Sequence, residues 1–174
     1  MKKACFFLVI CAVILFSFAA YAQELWRGTT YGMSVDQVRA TIPGAITPKS
    51  KPGTFPTGEV ELLRLENVEV VSKRFVARFY FKQKRLCQVT IDNEEIPTSA
   101  MLPVFDDLCN ALCAKYGREL SRKVDNFGTI ATSAKAEWLS GRTNITIFAI
   151  GVVGEKSYLS INYQVRLAKE ADKL

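Results

Sequence analysis

The chain has 174 residues, 23 of them Lys or Arg against 17 Asp or Glu, and it contains no histidine. Ser-His-Asp and Cys-His catalysis are therefore excluded, and the commonest zinc ligand is missing. The net charge of +6 is dispersed rather than gathered into a stripe, which argues against nucleic-acid binding and leaves only a weak preference for acidic partners.

Lys2 and Lys3 precede an uncharged run of 17 residues, and Ala20-Tyr21-Ala22 supplies the small-x-small pattern that signal peptidase reads. An export signal is expected over 1–22, with cleavage between Ala22 and Gln23. No cysteine follows that point directly, so no lipoprotein anchor is expected and no stable membrane attachment after cleavage. The short Lys-Lys start suits bacterial export to the periplasm or beyond. Loss of Lys2 and Lys3 leaves 152 residues, with 21 basic against 17 acidic. That length suffices for one domain with a core of its own, expected over 23–167 and followed by a charged tail at 168–174.

Gln23 to Tyr31 reads as an extended lead-in, with Leu25 and Trp26 docking on the body. Ser34 is then a natural N-cap, and Gln37 three residues later completes a capping box. Met33 and Val38 stand at the staple positions, Asp36 suits the helix dipole, and Pro43-Gly44 ends the helix. Residues 45–59 carry three prolines and two glycines and read as a loop, long enough to suggest a function.

A β-rich block follows. Residues 61–70 form a first strand with a bulge near Asn67. Residues 74–82 alternate, with Phe75, Ala77, Phe79 and Phe81 on one face and Arg74, Val76, Arg78 and Tyr80 on the other. The turn around Lys84 leads into a third strand in which Cys87, Val89 and Ile91 point inward. A long helix is expected over 97–117. Its stripe comprises Leu102, Phe105, Cys109, Leu112 and Tyr116, flanked by Met101, Leu108 and Cys113, and Gly117 stops it. Pro103 in a first turn places the hydrogen-bonded start near Leu102. Strands at 133–140, 144–150 and 157–165 complete the chain. The expected fold class is α+β, ordered helix–three strands–helix–three strands, with both helices on one face of an antiparallel sheet.

Three cysteines follow the export signal. Cys109 and Cys113 stand one helical turn apart, where a bridge between them would be strained. Cys87 paired with Cys109 or Cys113 is the better disulfide candidate in an exported protein, and three buried thiols are the alternative. The adjacent carboxylates Glu94-Glu95 and Asp106-Asp107 point apart, so neither pair forms an acid–base dyad by itself. The chemistry-bearing surface of most interest is a basic hairpin in which Arg74, Arg78 and Lys82 share the outward face and Lys84 and Arg85 extend the turn. Such a row suits an acidic protein or an anionic envelope component, although a solvated face whose lysines discourage edge pairing has the same sequence signature.

Gly32-Met33-Ser34-x-x-Gln37-Val38 resembles the Gly-Met-Thr/Ser-x-x-Gln-Val start of the first helix in the small outer-membrane-assembly lipoproteins. The element order resembles β-lactamase-inhibitor-protein-like domains. The chain departs from the lipoproteins in lacking the acylated cysteine and in carrying a second half. The resemblance implies a binding module of the envelope rather than an enzyme. The expected function is thus a periplasmic, non-catalytic binder of a protein or envelope component, without cofactor or metal. An inhibitor of a secreted hydrolase and a thiol redox protein stand as alternatives.

Overall fold

The structure, a computed structural model, describes residues 23–49 and 52–166. The expected export signal with Ala22, and the charged tail at 168–174, lie outside the described residues, and Gln23 is the first described. The elements in chain order are α1 (Val35–Thr41), β1 (Val60–Val70), β2 (Lys73–Lys82), β3 (Arg85–Pro97), α2 (Thr98–Tyr116), β4 (Ser121–Phe127), β5 (Ala131–Ser140), β6 (Thr143–Val152) and β7 (Lys156–Val165).

The seven strands form one antiparallel sheet in the order β1-β2-β3-β7-β6-β5-β4. Two meanders are fused where β7 returns beside β3. This overturns the balanced helix–three strands–helix–three strands expectation: strand accounts for 52 % of the structure and helix for 18 %. The physical reason lies in two places. Pro43-Gly44 halts α1 after 7 residues, so it is a plug rather than a layer. Ser121–Phe127, which has no apolar rhythm, forms a fourth strand in the second half because it needs only the backbone of β5 to pair with.

One sheet face is apolar and holds the core. Phe75, Ala77, Phe79 and Phe81 of β2 join Val89 and Ile91 of β3, Leu159 and Ile161 of β7, Ile145 and Ile147 of β6, and Ala136 and Trp138 of β5. Helix α2 lays Met101, Val104, Phe105, Leu108, Cys109 and Leu112 on this layer, while α1 contributes Val38. Each large apolar side chain so buried favours the fold by about 2 kcal/mol. Leu25 and Trp26 dock here too, and the lead-in is fastened by Gly32 N donating to Leu86 O and Leu86 N donating to Met33 O, both at 2.8 Å.

Local chemistry explains the boundaries. The capping box at α1 is complete: Ser34 N donates to Gln37 Oε1 at 2.8 Å, and Gln37 N to Ser34 Oγ at 3.3 Å. Helix α2 begins at Thr98, four residues before the expected start, because the Thr98 hydroxyl ties the first turn to the carbonyls of Val152 and Glu155 at 3.0 and 2.8 Å. Pro103 therefore falls in the second turn, where the Ser99 carbonyl loses its helical donor. Gly117 ends the helix at φ 82°, a conformation that disfavours side chains. The bulge in β1 lies between Leu65 and Val68, with Asn67 at φ 56°.

A second bulge changes the inward set of β3. Tyr80 pairs with Gln88 while Phe81 pairs with Leu86, so Cys87 is the extra residue and Leu86 takes the inward position expected of Cys87. The expected bridge from Cys87 to Cys109 or Cys113 is not formed; all three thiols are free. Their surroundings differ: Cys87 lies near Glu59 and Lys82, whereas Cys109 lies near Arg122 and Asp106.

Candidate functional site

No helix covers the other face of the sheet among the described residues, and its side chains are mostly polar. On β2 it presents Arg74, Arg78, Tyr80 and Lys82, on β3 Gln88, Thr90 and Asp92, on β7 Tyr158, Ser160 and Asn162, and on β6 Asn144, Thr146 and Phe148. The alternation that buries Phe79 and Ile91 necessarily turns Arg78 and Asp92 to this side. A bulge between Glu61 and Leu63 brings both Glu61 and Arg64 of β1 to the same face, opposite Tyr80 and Arg78.

These residues enclose a cavity of about 530 Å³ lined by Glu61, Arg64, Arg78, Asp92, Tyr80 and Tyr158, with Thr90, Ser160 and Asn162 on the floor and Phe55 and Phe148 at the sides. The expected loop at 45–59 forms one wall. Ile46 pairs with Arg64, Thr54 pairs with Val60, and the Phe55 ring lies 4.6 Å from that of Tyr80, tilted by 51°. Residues 50 and 51 lie outside the described residues.

The charges inside are compensated. The Glu61 side chain has no exposed surface. It accepts from Arg64 Nε at 2.7 Å, Arg64 Nη2 at 3.1 Å and Gly53 N at 3.1 Å. Arg78, 22 % exposed, donates from Nε to Asp92 Oδ1 at 2.8 Å and lies 3.6 Å from Glu61 Oε2. Burial disfavours the charged form of Arg78, but the hydrogen bond to Asp92 and the charges of Asp92 and Glu61 outweigh it and raise its pKa. Burial, reinforced by the Glu61 charge, pushes the Tyr80 hydroxyl up to about 12. It is neutral and available as a donor at physiological pH.

A row of neutral groups continues from the cavity across the sheet. Thr90 Oγ1 donates to Asn162 Oδ1 at 2.8 Å, Asn162 Nδ2 to Ser160 Oγ at 3.2 Å, and Asn144 Nδ2 to Thr146 Oγ1 at 3.2 Å. Asn144 Oδ1 is buried without a hydrogen-bond partner among the described residues.

The basic hairpin is distributed differently from a bare cationic stripe. Arg74, Arg78 and Lys82 do share one face. Arg78 is engaged by Asp92 and Glu61, Lys82 donates to Glu59 at 3.2 Å and to the Thr57 carbonyl at 3.0 Å, and Arg74 stands opposite Glu69. Lys84 occupies the turn at φ 61°, and Arg85 donates to the Gly32 carbonyl at 3.3 Å. Sequence reasoning singled out the cations and missed Glu61 and Asp92. Only the period-two alternation of 86–92 could have placed Asp92, and Glu61 needed knowledge of the bulge.

Elsewhere the reactive groups are separated. Asp106 on α2 binds Arg122 at 2.5 Å, whereas Glu137 lies on the opposite sheet face with Ser121 and Lys135 at 2.9 Å each. Burial pushes the Cys87 and Cys109 thiols up to about 11, and donation to Glu119 at 3.0 Å raises that of Cys113. No group of three or more potential metal ligands occurs among the described residues, and no helix among them is long and apolar enough to cross a membrane. No family model matches the chain, nor does any curated protein or solved structure.

Proposed function

We propose that the protein is an exported, non-catalytic binding module that receives a protein partner on the uncovered face of its sheet, centred on the cavity around Arg78. The observation that carries this reading is the composition of that cavity. Arginine, tyrosine and phenylalanine converge there over a floor of hydroxyls and amides, the mixture that dominates the energetics of protein interfaces.

Two further features support it. The ionic groups are already paired within the chain, so a partner meets a preorganised surface and need not neutralise an isolated charge. The raised thiol pKa values run opposite to thiolate activation, which favours binding over redox chemistry. The residues expected to make the basic hairpin contribute through Arg78, at the centre, and through Arg74 at the margin.

The test is site-specific photo-crosslinking in the envelope of the producing cell. A photoreactive side chain at position 148, on the uncovered face, gives a discrete protein adduct, whereas one at position 107, exposed on α2, gives none. Equal labelling from both positions, or no adduct from 148, overturns the proposal.

A further inference from the structure

The two edges of the sheet are unlike. Beyond β1, the backbone of Ile46 bridges Arg64 in both directions at 2.8 and 2.9 Å, and Thr54 bridges Val60, so the first half of that edge is covered, and the second half is broken by the bulge between Leu65 and Val68. Strand β4 pairs with β5 alone. It is 7 residues long and exposed along nearly its whole length. An unpaired edge of this kind accepts another strand unless its side chains forbid it.

The side chains of β4 favour one particular strand. Its sequence is Ser121-Arg122-Lys123-Val124-Asp125-Asn126-Phe127. Laid antiparallel against a second copy about Val124, it sets Lys123 opposite Asp125 in both halves, Arg122 opposite Asn126, and Ser121 opposite Phe127. Within one chain Lys123 already holds Asp125 at 2.9 Å; in the pair each also faces the opposite charge of the other copy, which adds two cross-strand ion pairs. The environment strengthens the match. On its β5 side Lys123 stands opposite Lys135, a like-charge pair, and Lys135 is itself held by Glu137. The second copy supplies a further carboxylate on the open side. Val124, 44 % exposed, meets its own counterpart on the axis, and Phe127, 58 % exposed, covers the end of the ladder.

We infer that the protein self-associates through β4, two copies pairing edge to edge about a two-fold axis at Val124 to make one continuous sheet. The contact is isologous and closed, because each copy offers the same strand to the other about the two-fold axis. It leaves the cavity around Arg78 open in both copies, since that site lies on β1, β2, β3, β7 and β6, with β5 between it and β4. The inference is independent of the proposed function.

Sedimentation equilibrium of the purified protein from about 1 µM to about 500 µM reads the association directly. Wild type dimerises with concentration. Asp125→Lys and Lys123→Asp each set like charges opposite one another and raise Kd about tenfold or more. Two recoveries follow from the register: the double variant Lys123→Asp/Asp125→Lys dimerises as wild type does, and an equimolar mixture of the two single variants forms a heterodimer. The mixture excludes a merely structural role of the Lys123–Asp125 bridge within one chain (2.9 Å), because neither single variant regains that bridge on mixing. Amide hydrogen exchange of wild type supplies a readout without mutation, protection of β4 rising with concentration. A wild type monomeric throughout this range, a dimer indifferent to both charge reversals, or a mixture that stays monomeric overturns the inference.

Discussion

Arg64 clasps Glu61 through two hydrogen bonds, 2.7 Å from Nε and 3.1 Å from Nη2, on a carboxylate that has no exposed surface. A charge so enclosed is tolerated because the guanidinium fork matches it in geometry and the Gly53 amide takes up remaining acceptor capacity. The pair shapes the cavity: it fixes the β1 wall and, through Gly53, the loop that carries Phe55.

Removing one member should therefore cost far more than removing both. Arg64→Met leaves the buried Glu61 with the Gly53 amide and, as its only cation, Arg78 at 3.6 Å, and should lower stability by about 3 kcal/mol. The double variant Glu61→Met/Arg64→Met should recover much of that loss, since no uncompensated charge remains. Urea denaturation of the single and double variants measures both, and equal stabilities would show the pair to be incidental.

Gly151 of β6 lies where the first turn of α2 comes down on the sheet. A Cβ there would lie 2.7 Å from Ser157 Oγ, 2.9 Å from Thr98 Cγ2 and 3.1 Å from Met101 Sδ. Ser157 and Thr98 are short side chains held by their own hydrogen bonds, so the helix start must lift. Gly151→Ala is expected to destabilise the fold by about 1–3 kcal/mol through overpacking. Loss of the Thr98 bonds to the β6–β7 turn should appear as faster amide exchange in the first turn of α2, with the C-terminal half of the helix unchanged.

Alkaline pH should unfold the protein earlier than its ion pairs alone would dictate. Burial raises the Cys87 and Cys109 thiols from 9.0 to about 11, and Tyr80 from 10.0 to about 12; it raises Tyr163 as well. Below pH 9 the folded and unfolded chains both keep these protons, and the stability they allow is fully present. Above it the unfolded chain releases protons that the native chain retains, so stability falls with rising pH and goes on falling through the folded values near 11 and 12. Denaturation midpoints measured between pH 7 and pH 11 should decline beyond pH 9. Cys109→Ser should not remove the decline, because Cys87 and the tyrosines remain.

The local elements could be read in the sequence because each rests on chemistry within a few residues. Ser34 and Gln37 bond one another across one turn, so the start of α1 needs no tertiary partner. Phe75, Ala77, Phe79 and Phe81 reveal the buried face of β2 because a strand repeats every two residues. Gly117 marks the end of α2 for the same local reason, its backbone conformation being one that only glycine adopts easily.

Tertiary structure decided the rest. One inserted residue, Cys87, gives its expected inward position to Leu86 while Val89 and Ile91 stay inward, and no composition signal announces it because the bulge is fixed by pairing with Tyr80 and Phe81. Strand β4 lacks an apolar rhythm since it lies at an edge, where hydrogen bonds to β5 hold it without burial. The cavity around Arg78 depends on Glu61, Arg64, Arg78 and Asp92 meeting across three strands, at separations set by register. Sequence by itself determined which segments would be helix or strand wherever periodicity and capping act locally; only the fold determined which charges meet, because charge pairing depends on distances in space that the order of residues does not contain.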